Sequence, residues 1–276
     1  MASNIGSHLL GRNPSPPDDR NYRLSNFLKL GVEATSADPA ELIALGVAEL
    51  KLTTVKFARW AATDYSDVTK THWWKALNYF EQAKAALNPV PTGKVEWENP
   101  QPTLDQGNTG HCVGFSGAQF GNTLPINDQF DNNDGHALYY ECKVVEGEPN
   151  QENGAYVDSI GKVLLNRKRI GVYAFAASID EAIEWVKTKG PVIFGTVWLT
   201  NMFDPDSSGL IKAIGSEEGG HAYVCLGYDP ALDQLLFLNS WGSSWGVNGH
   251  FRMSRSDAIK LFSNYGEVLA AVELPL

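Results

Sequence analysis

The sequence is poor in sulfur, with three cysteines and three methionines in 276 residues. An odd, sparse cysteine set does not suggest a disulfide framework. Cys225 lies in the apolar run Ala222–Leu226 and Cys142 follows Tyr139, Tyr140 and Glu141, so both read as buried free thiols. Basic residues are also scarce. With 22 Lys and Arg against 32 Asp and Glu, the formal net charge is −10. That argues against a nucleic-acid partner, which needs clustered cations to neutralise phosphate. The one basic cluster, Asn166 to Arg169, reads as the solvated end of a helix. No run approaches the ~20 apolar residues of a membrane span. Met1 to Ser15 has no basic segment feeding an apolar stretch, as a secretory signal would. The expectation is a cytoplasmic protein with no membrane partner, packaging into a particle or release by lysis being left open.

What is present fits a globular chain, at 43% hydrophobic and 20% charged residues. Residues 1 to about 25, rich in Pro, Asn, Ser and Asp, read as an extended arm. A helix is expected after Asp38, with Pro39 at its first position, Glu41 completing a capping box, and Leu42, Ile43, Leu45 and Leu50 on its apolar face. A second is expected from Thr71 to Leu87, ended by Asn88-Pro89, and a boundary near residue 91 follows. Two domains result: an N-terminal extension over 1–90 and a second domain over 91–276. Within the latter, residues 112 to 188 read mainly as helices, over Val113–Phe120, Leu138–Val145, Ala155–Asn166 and Ser178–Thr188. Residues 190 to 276 read as strands and turns, with strands over Pro191–Trp198, His221–Tyr228, Gln234–Asn239 and His250–Met253. A helical half before a β half is α+β segregation.

The chemistry concentrates in three segments. Cys112 ends a turn containing Gly107 and Gly110 and precedes an apolar helix start. A helix N-terminus and a nearby imidazolium both lower a thiol's pKa, and the same N-terminus directs N–H groups at a developing oxyanion. Gln106 offers a side-chain N–H for that oxyanion. His221 follows Gly219-Gly220, whose small size lets its ring approach another part of the molecule. Asn239, at the end of the run Gln234–Leu238, offers an amide that can hydrogen-bond one imidazole nitrogen and leave the other facing the thiol. Trp241 can cover that bond from water.

These segments resemble those of papain-like cysteine peptidases. Asn239-Ser240-Trp241-Gly242 through Trp245-Gly246 to Gly249 matches the family's Asn-Ser-Trp-Gly-x-x-Trp-Gly-x-x-Gly signature. Gln106-Gly107, Gly110-His111-Cys112, Gly219-Gly220-His221-Ala222, Val95-Glu96-Trp97 and Asn153-Gly154-Ala155 resemble other family segments, over residues 95 to 276. The resemblance implies a two-lobed fold, a helical left lobe and a β-rich right lobe with the active-site cleft between them, preceded here by an N-terminal helical extension. It implies peptide-bond hydrolysis: Cys112 as nucleophile, His221 as base, Asn239 as its orienter, Gln106 in the oxyanion site, and polypeptides as substrates. No cofactor and no metal are expected. Gly154, Trp241 and His111 are the candidate substrate-binding residues. The sequence departs from the family around the nucleophile. Val113 replaces an aromatic, the cysteine that usually forms a disulfide there is absent, and His111 takes an unusual place, read as a surface residue, with perturbation of Cys112 or contact with substrate as the alternative.

Residues 1–90 admit two readings: an inhibitory prosegment that binds the catalytic cleft, or a permanent module that docks a partner protein. Trp60, Trp73 and Trp74 give the region aromatic surface to bury in either case. Two further functions use the same fold. One is a papain-like acyltransferase or isopeptidase; the other is a binding or structural protein without turnover.

Overall fold

The computed structural model describes residues 9–16, 22–23 and 91–272. The helices expected near 38–50 and 71–87 lie outside the described residues. The described residues belong to one compact unit, which joins residues 1–24 to 91–276. In chain order they form β1 (Arg12–Asn13), β2 (Tyr22–Arg23), β3 (Val95–Glu96), α1 (Cys112–Asn122), α2 (Asn132–Val145), β4 (Ala155–Tyr156) and α3 (Val157–Asn166). There follow β5 (Val172–Phe175), α4 (Ile179–Thr188), β6 (Val192–Leu199), a short 3-10 turn, β7 (Leu210–Ile211) and β8 (Glu217–Asp229). The last elements are β9 (Gln234–Leu238), β10 (His250–Ser254), α5 (Arg255–Phe262) and β11 (Glu267–Val272).

The helical part is built around α1, every residue of which is buried. A helix with no solvent face needs small residues wherever a neighbour crosses. At Gly114, an added Cβ would stand 2.4 Å from the Gly135 carbonyl oxygen of α2, so the bare backbone sets that approach. α2 begins earlier than its apolar face suggests. Asp131 caps it by accepting from the Asp134 N–H, while the Asp134 side chain accepts from the Asp131 N–H. This is a capping box built from two aspartates.

The β part is a mostly antiparallel sheet in the order β2-β5-β11-β6-β8-β9-β10-β7, with β3 on β8. β6 and β8 form its long central pair, and all eight residues of β6 are buried. Three adjacent strands matter for the site, because their register puts Glu267 opposite Gly195 and Gly195 opposite Ala222. Two elements correct the expected division into helices and strands. β5 lies within the helical half, and α5 lies within the β half. Ser254 caps α5 by accepting from the Asp257 N–H, a Ser-x-x-Asp signal too short to stand out between strands. The segment from Ala155 to Asn166 also begins as strand rather than helix.

The apolar core is continuous from α1 through α2 and α3 to β8, with Cys112, Phe115, Leu138, Ile160, Ala222 and Val224 among its members. Cys112, Cys142 and Cys225 are all buried and free.

Candidate active site

The turn before α1 delivers Cys112 as the first helical residue, fully buried. Its thiol receives backbone hydrogen bonds from Ala222, Gly11 and Val113. Ala222 is the residue after His221, so β8 brings the histidine segment to the sulfur. Burial pushes the thiol up to about 11, outweighing those hydrogen bonds and the charge of Arg12. The lowered pKa expected from the helix N-terminus is therefore not the state described here: desolvation of the anion wins when nothing polar enough surrounds the sulfur.

His221 is fully buried on β8, and its Nε2 lies 2.7 Å from Asn239 Oδ1. The same Oδ1 accepts from the Ser240 N–H at 2.8 Å. An atom that takes a backbone N–H is an acceptor, so His221 Nε2 carries the hydrogen and Nδ1 is the basic nitrogen. Trp241 stacks on the imidazole at 4.7 Å and Trp198 meets it edge-on at 4.9 Å. These rings exclude water from the His221–Asn239 bond. Trp241 is itself 2% exposed, so it supports the histidine from within rather than presenting a substrate surface.

Gln106 is held at both ends. Its Oε1 accepts from Ser240 Oγ at 2.6 Å, and its N–H donates to the Ser240 carbonyl at 2.8 Å. Its side-chain amide then donates to the carbonyls of Thr109 at 2.6 Å and Leu9 at 3.1 Å. Ser240 therefore links the Gln106 turn to the Asn239 segment, a role that sequence reasoning gave to neither hydroxyl nor backbone.

The groove at Cys112 is filled by the chain's own arm. Ala155 donates its N–H to the Gly11 carbonyl at 2.7 Å, and Arg12–Asn13 pair in parallel with Ala155–Tyr156. The Asn13 side chain donates to the Asn153 carbonyl at 3.0 Å, and Ser15 Oγ accepts from the Asp158 N–H at 3.1 Å. Two glycines make the passage. A Cβ on Gly154, whose φ is +83°, would stand 2.2 Å from the Gly11 oxygen. A Cβ on Gly220 would stand 1.9 Å from the Arg12 oxygen. Gly154 thus lies directly against the backbone of the arm.

His111 does not contact the arm through its ring nitrogens. It is buried, and so corrects the expectation of a surface residue. Its Nδ1 lies 2.7 Å from His136 Nδ1, its Nε2 2.7 Å from Glu152 Oε2, and its ring stacks on Tyr139 at 3.7 Å. Both nitrogens are engaged, so the ring fastens the start of α1 to α2 and to the loop before β4. Among the described residues, no group of three or more His, Cys, Asp or Glu is arranged to hold a metal ion. Nor is any described helix long and apolar enough to cross a membrane.

A family model described as Papain family cysteine protease matches residues 137–267, a span that contains His221 and Asn239, with Gln106 and Cys112 upstream of it. An uncharacterized peptidase C1-like protein of Acanthamoeba polyphaga mimivirus is 34% identical over 85 residues, covering 28% of this chain and 27% of the relative. Cysteine proteinase B of Leishmania mexicana is 24% identical over 239 residues, covering 73% of this chain and 52% of the relative. The chain therefore spans about a quarter to a half of the length of these relatives. Among solved structures, xylellain, a cysteine protease from Xylella fastidiosa, aligns with a TM-score of 0.60 over 96% of both chains at 18% identity, a likeness of fold.

Proposed function

Because the chain is a divergent member of the papain-like cysteine peptidase family, we propose that it is a cysteine endopeptidase made in a self-inhibited form, with residues 9–16 as the inhibitory segment. The observation that carries the activity is the His221 Nε2–Asn239 Oδ1 bond at 2.7 Å beside a strand that touches the Cys112 thiol. It leaves His221 Nδ1 as the base for that thiol. In the reaction, Cys112 transfers its proton to Nδ1, and the thiolate attacks the scissile carbonyl carbon. The oxyanion is held by the Gln106 side-chain amide and the Cys112 N–H, which has no intrahelical partner at the first position of α1. As the C–N bond breaks, the imidazolium protonates the departing amine and a thioester remains. His221 then takes a proton from water, the hydroxide displaces the thiolate, and the carboxylic acid leaves.

The arm occupies this machinery without engaging it productively. The Gln106 amide holds the Leu9 carbonyl, whereas the group against the sulfur is the backbone of Gly11. The polarised carbonyl and the nucleophile therefore belong to different peptide units, which favours occupancy over cleavage. The arm also explains the neutral thiol, since it completes the burial of Cys112.

Labelling with an epoxide-type thiol inhibitor and digestion of a peptide library test the activity. Cys112 should be labelled and peptides cleaved once the arm is displaced, and Cys112→Ala should abolish both. Incubation at mildly acidic pH should yield a shorter species cut near residues 88–95, absent in Cys112→Ala. A full-length enzyme that is fully active and unprocessed would refute self-inhibition. A chain that neither reacts nor cleaves with its arm displaced would refute the peptidase.

A further inference from the structure

The Lys143 ammonium of α2 reaches the loop that leads into β4. Its Nζ donates to Asn153 Oδ1 at 2.8 Å and to the Gly154 carbonyl at 3.0 Å, besides Glu146 Oε2 at 2.7 Å and Glu148 Oε2 at 2.8 Å. Glu146 uses its other oxygen, Oε1, to accept the Tyr156 N–H at 2.9 Å. The pair is buried, with side-chain exposures of 1% for Lys143 and 3% for Glu146. A buried ion pair is by itself weak evidence for stability, because desolvation offsets much of the attraction. What decides its role is the backbone it touches.

The two edges of β4 are satisfied by different means. Along a strand, the N–H and C=O of one residue point to one side and those of the next residue to the other. Ala155 faces the arm, and its N–H donates to the Gly11 carbonyl at 2.7 Å. Gly154 and Tyr156 face away from it. A neighbouring strand on that side would supply a donor and an acceptor. Here Lys143 supplies the donor for the Gly154 carbonyl, and Glu146 supplies the acceptor for the Tyr156 N–H. Among the described residues, β4 pairs with no strand except β1 of the arm. An isolated short strand has no stability of its own, so once the arm is gone the Lys143–Glu146 pair is what keeps the backbone of β4 extended.

The helix that carries the pair also packs on the nucleophile helix. A Cβ on Gly114 of α1 would stand 2.4 Å from the Gly135 carbonyl oxygen of α2, so the two helices meet backbone to backbone. α2 thereby sets the β4 edge at a fixed place relative to Cys112, the first residue of α1. The arm shows what that edge takes, which is an extended peptide. An edge held in place beforehand need not be ordered when a peptide arrives.

We propose that Lys143 and Glu146 are positioning residues, which hold β4 so that its free edge pairs with the backbone of an extended polypeptide substrate at a set distance from Cys112. This role rests on the peptidase reading, and the test separates the two.

The parent for the test is the full-length Gly11→Ala chain, whose added Cβ has no room against Gly110 and displaces the arm. Lys143→Met and Glu146→Leu are introduced together, since Lys143→Met alone leaves the Glu146 charge buried without its partner. Two substrates are compared. An internally quenched peptide spans the groove and pairs with β4, whereas p-nitrophenyl acetate delivers an acetyl group that reads Cys112 and His221 without reaching β4. For the peptide, kcat/KM should fall at least about tenfold, carried by KM, while the value for the ester changes by less than about twofold. Glu146→Gln keeps an oxygen for the Tyr156 N–H and loses the ion pair. It should show the same split to a smaller degree, which keeps the outcome readable should the paired variant fold poorly. Equal losses for peptide and ester in both variants, or no loss for the peptide in either, would overturn the positioning role and leave the peptidase standing. Should the parent turn over neither substrate, the peptidase falls instead, and binding decides the role. A synthetic peptide of residues 9–16 should then bind the Cys112→Ala, Gly11→Ala chain at least about tenfold more tightly than the same chain carrying Lys143→Met and Glu146→Leu. Equal binding to the two chains would overturn the role.

Discussion

Gly11 and Gly110 meet so closely that a Cβ on Gly11 would stand 1.7 Å from the Gly110 carbonyl oxygen. Backbone on both sides leaves no flexible side chain to yield. Gly11→Ala should therefore drive the arm from the groove while leaving the body of the fold intact. Since each 1.4 kcal/mol is a factor of ten in a population, a clash of this size should raise the rate of Cys112 alkylation by iodoacetamide at neutral pH by at least about tenfold. An unchanged rate would show that the arm does not shield the thiol.

The pH dependence of that alkylation follows from the raised thiol. With the thiol at about 11 against 9.0 unperturbed, the full-length chain should react ever faster up to strongly alkaline pH, with no plateau near neutrality. Displacing the arm should bring a plateau at lower pH, because solvent and the His221 imidazole then share the stabilisation of the anion. The sign for stability is fixed as well. A thiol with a raised folded pKa contributes fully below pH 9.0, and its contribution is lost as pH rises toward about 11. Alkylation kinetics of the wild type and Gly11→Ala over pH 6–11 would check the first point, and coincident profiles would contradict it.

The parts of the site that sequence made legible are those whose chemistry is local. Gln106 and Cys112 share one turn, and Asn239 begins the Asn-Ser-Trp-Gly signature, so their grouping could be read without coordinates. His221 was marked by its glycines, although the purpose of Gly220 is apparent only with the arm above it. The arm itself was legible as extended chain but not as the occupant of the groove. Arg12 and Glu267, which meet in a hydrogen bond, are 255 residues apart, and neither carries a local signal. α5 escaped because only Ser254 and Asp257 announce it between two strands. The role of His111 depends on His136 and Glu152, which meet it only through the packing of α2 and the loop before β4.

Lys143 supports the groove from beneath. Its Nζ is the donor to Glu146 at 2.7 Å, Glu148 at 2.8 Å, the Asn153 side chain at 2.8 Å and the Gly154 carbonyl at 3.0 Å. Glu146 in turn accepts the Tyr156 N–H at 2.9 Å. Burial acts to lower the ammonium's pKa, but the hydrogen bonds it donates to Glu146 and Glu148 reverse it, so the net shift is upward. Lys143→Met would leave Glu146 buried without its cation. Breaking such a pair costs about 3–5 kcal/mol, so the urea midpoint should drop sharply, and the double variant Lys143→Met/Glu146→Leu should recover part of the loss. A single variant within about 0.5 kcal/mol of wild type would contradict this account.

His111 and His136 share one hydrogen between facing Nδ1 atoms 2.7 Å apart. Doubly protonated rings would set two N–H groups against each other, so the pair tolerates one positive charge at most without opening. Burial, and then the charge of His111, lower His136 from its ordinary 6.5. The unfolded chain binds that proton more readily than the folded one, so stability is retained above pH 6.5 and declines as pH falls through the depressed folded value. The opening would release the start of α1 from α2, beside the nucleophile. Urea midpoints measured from pH 7.5 to 4.5 should therefore fall more steeply for the wild type than for His136→Gln, whose amide can donate to His111 but does not titrate. Parallel slopes for the two proteins would remove the histidine pair as a source of acid sensitivity.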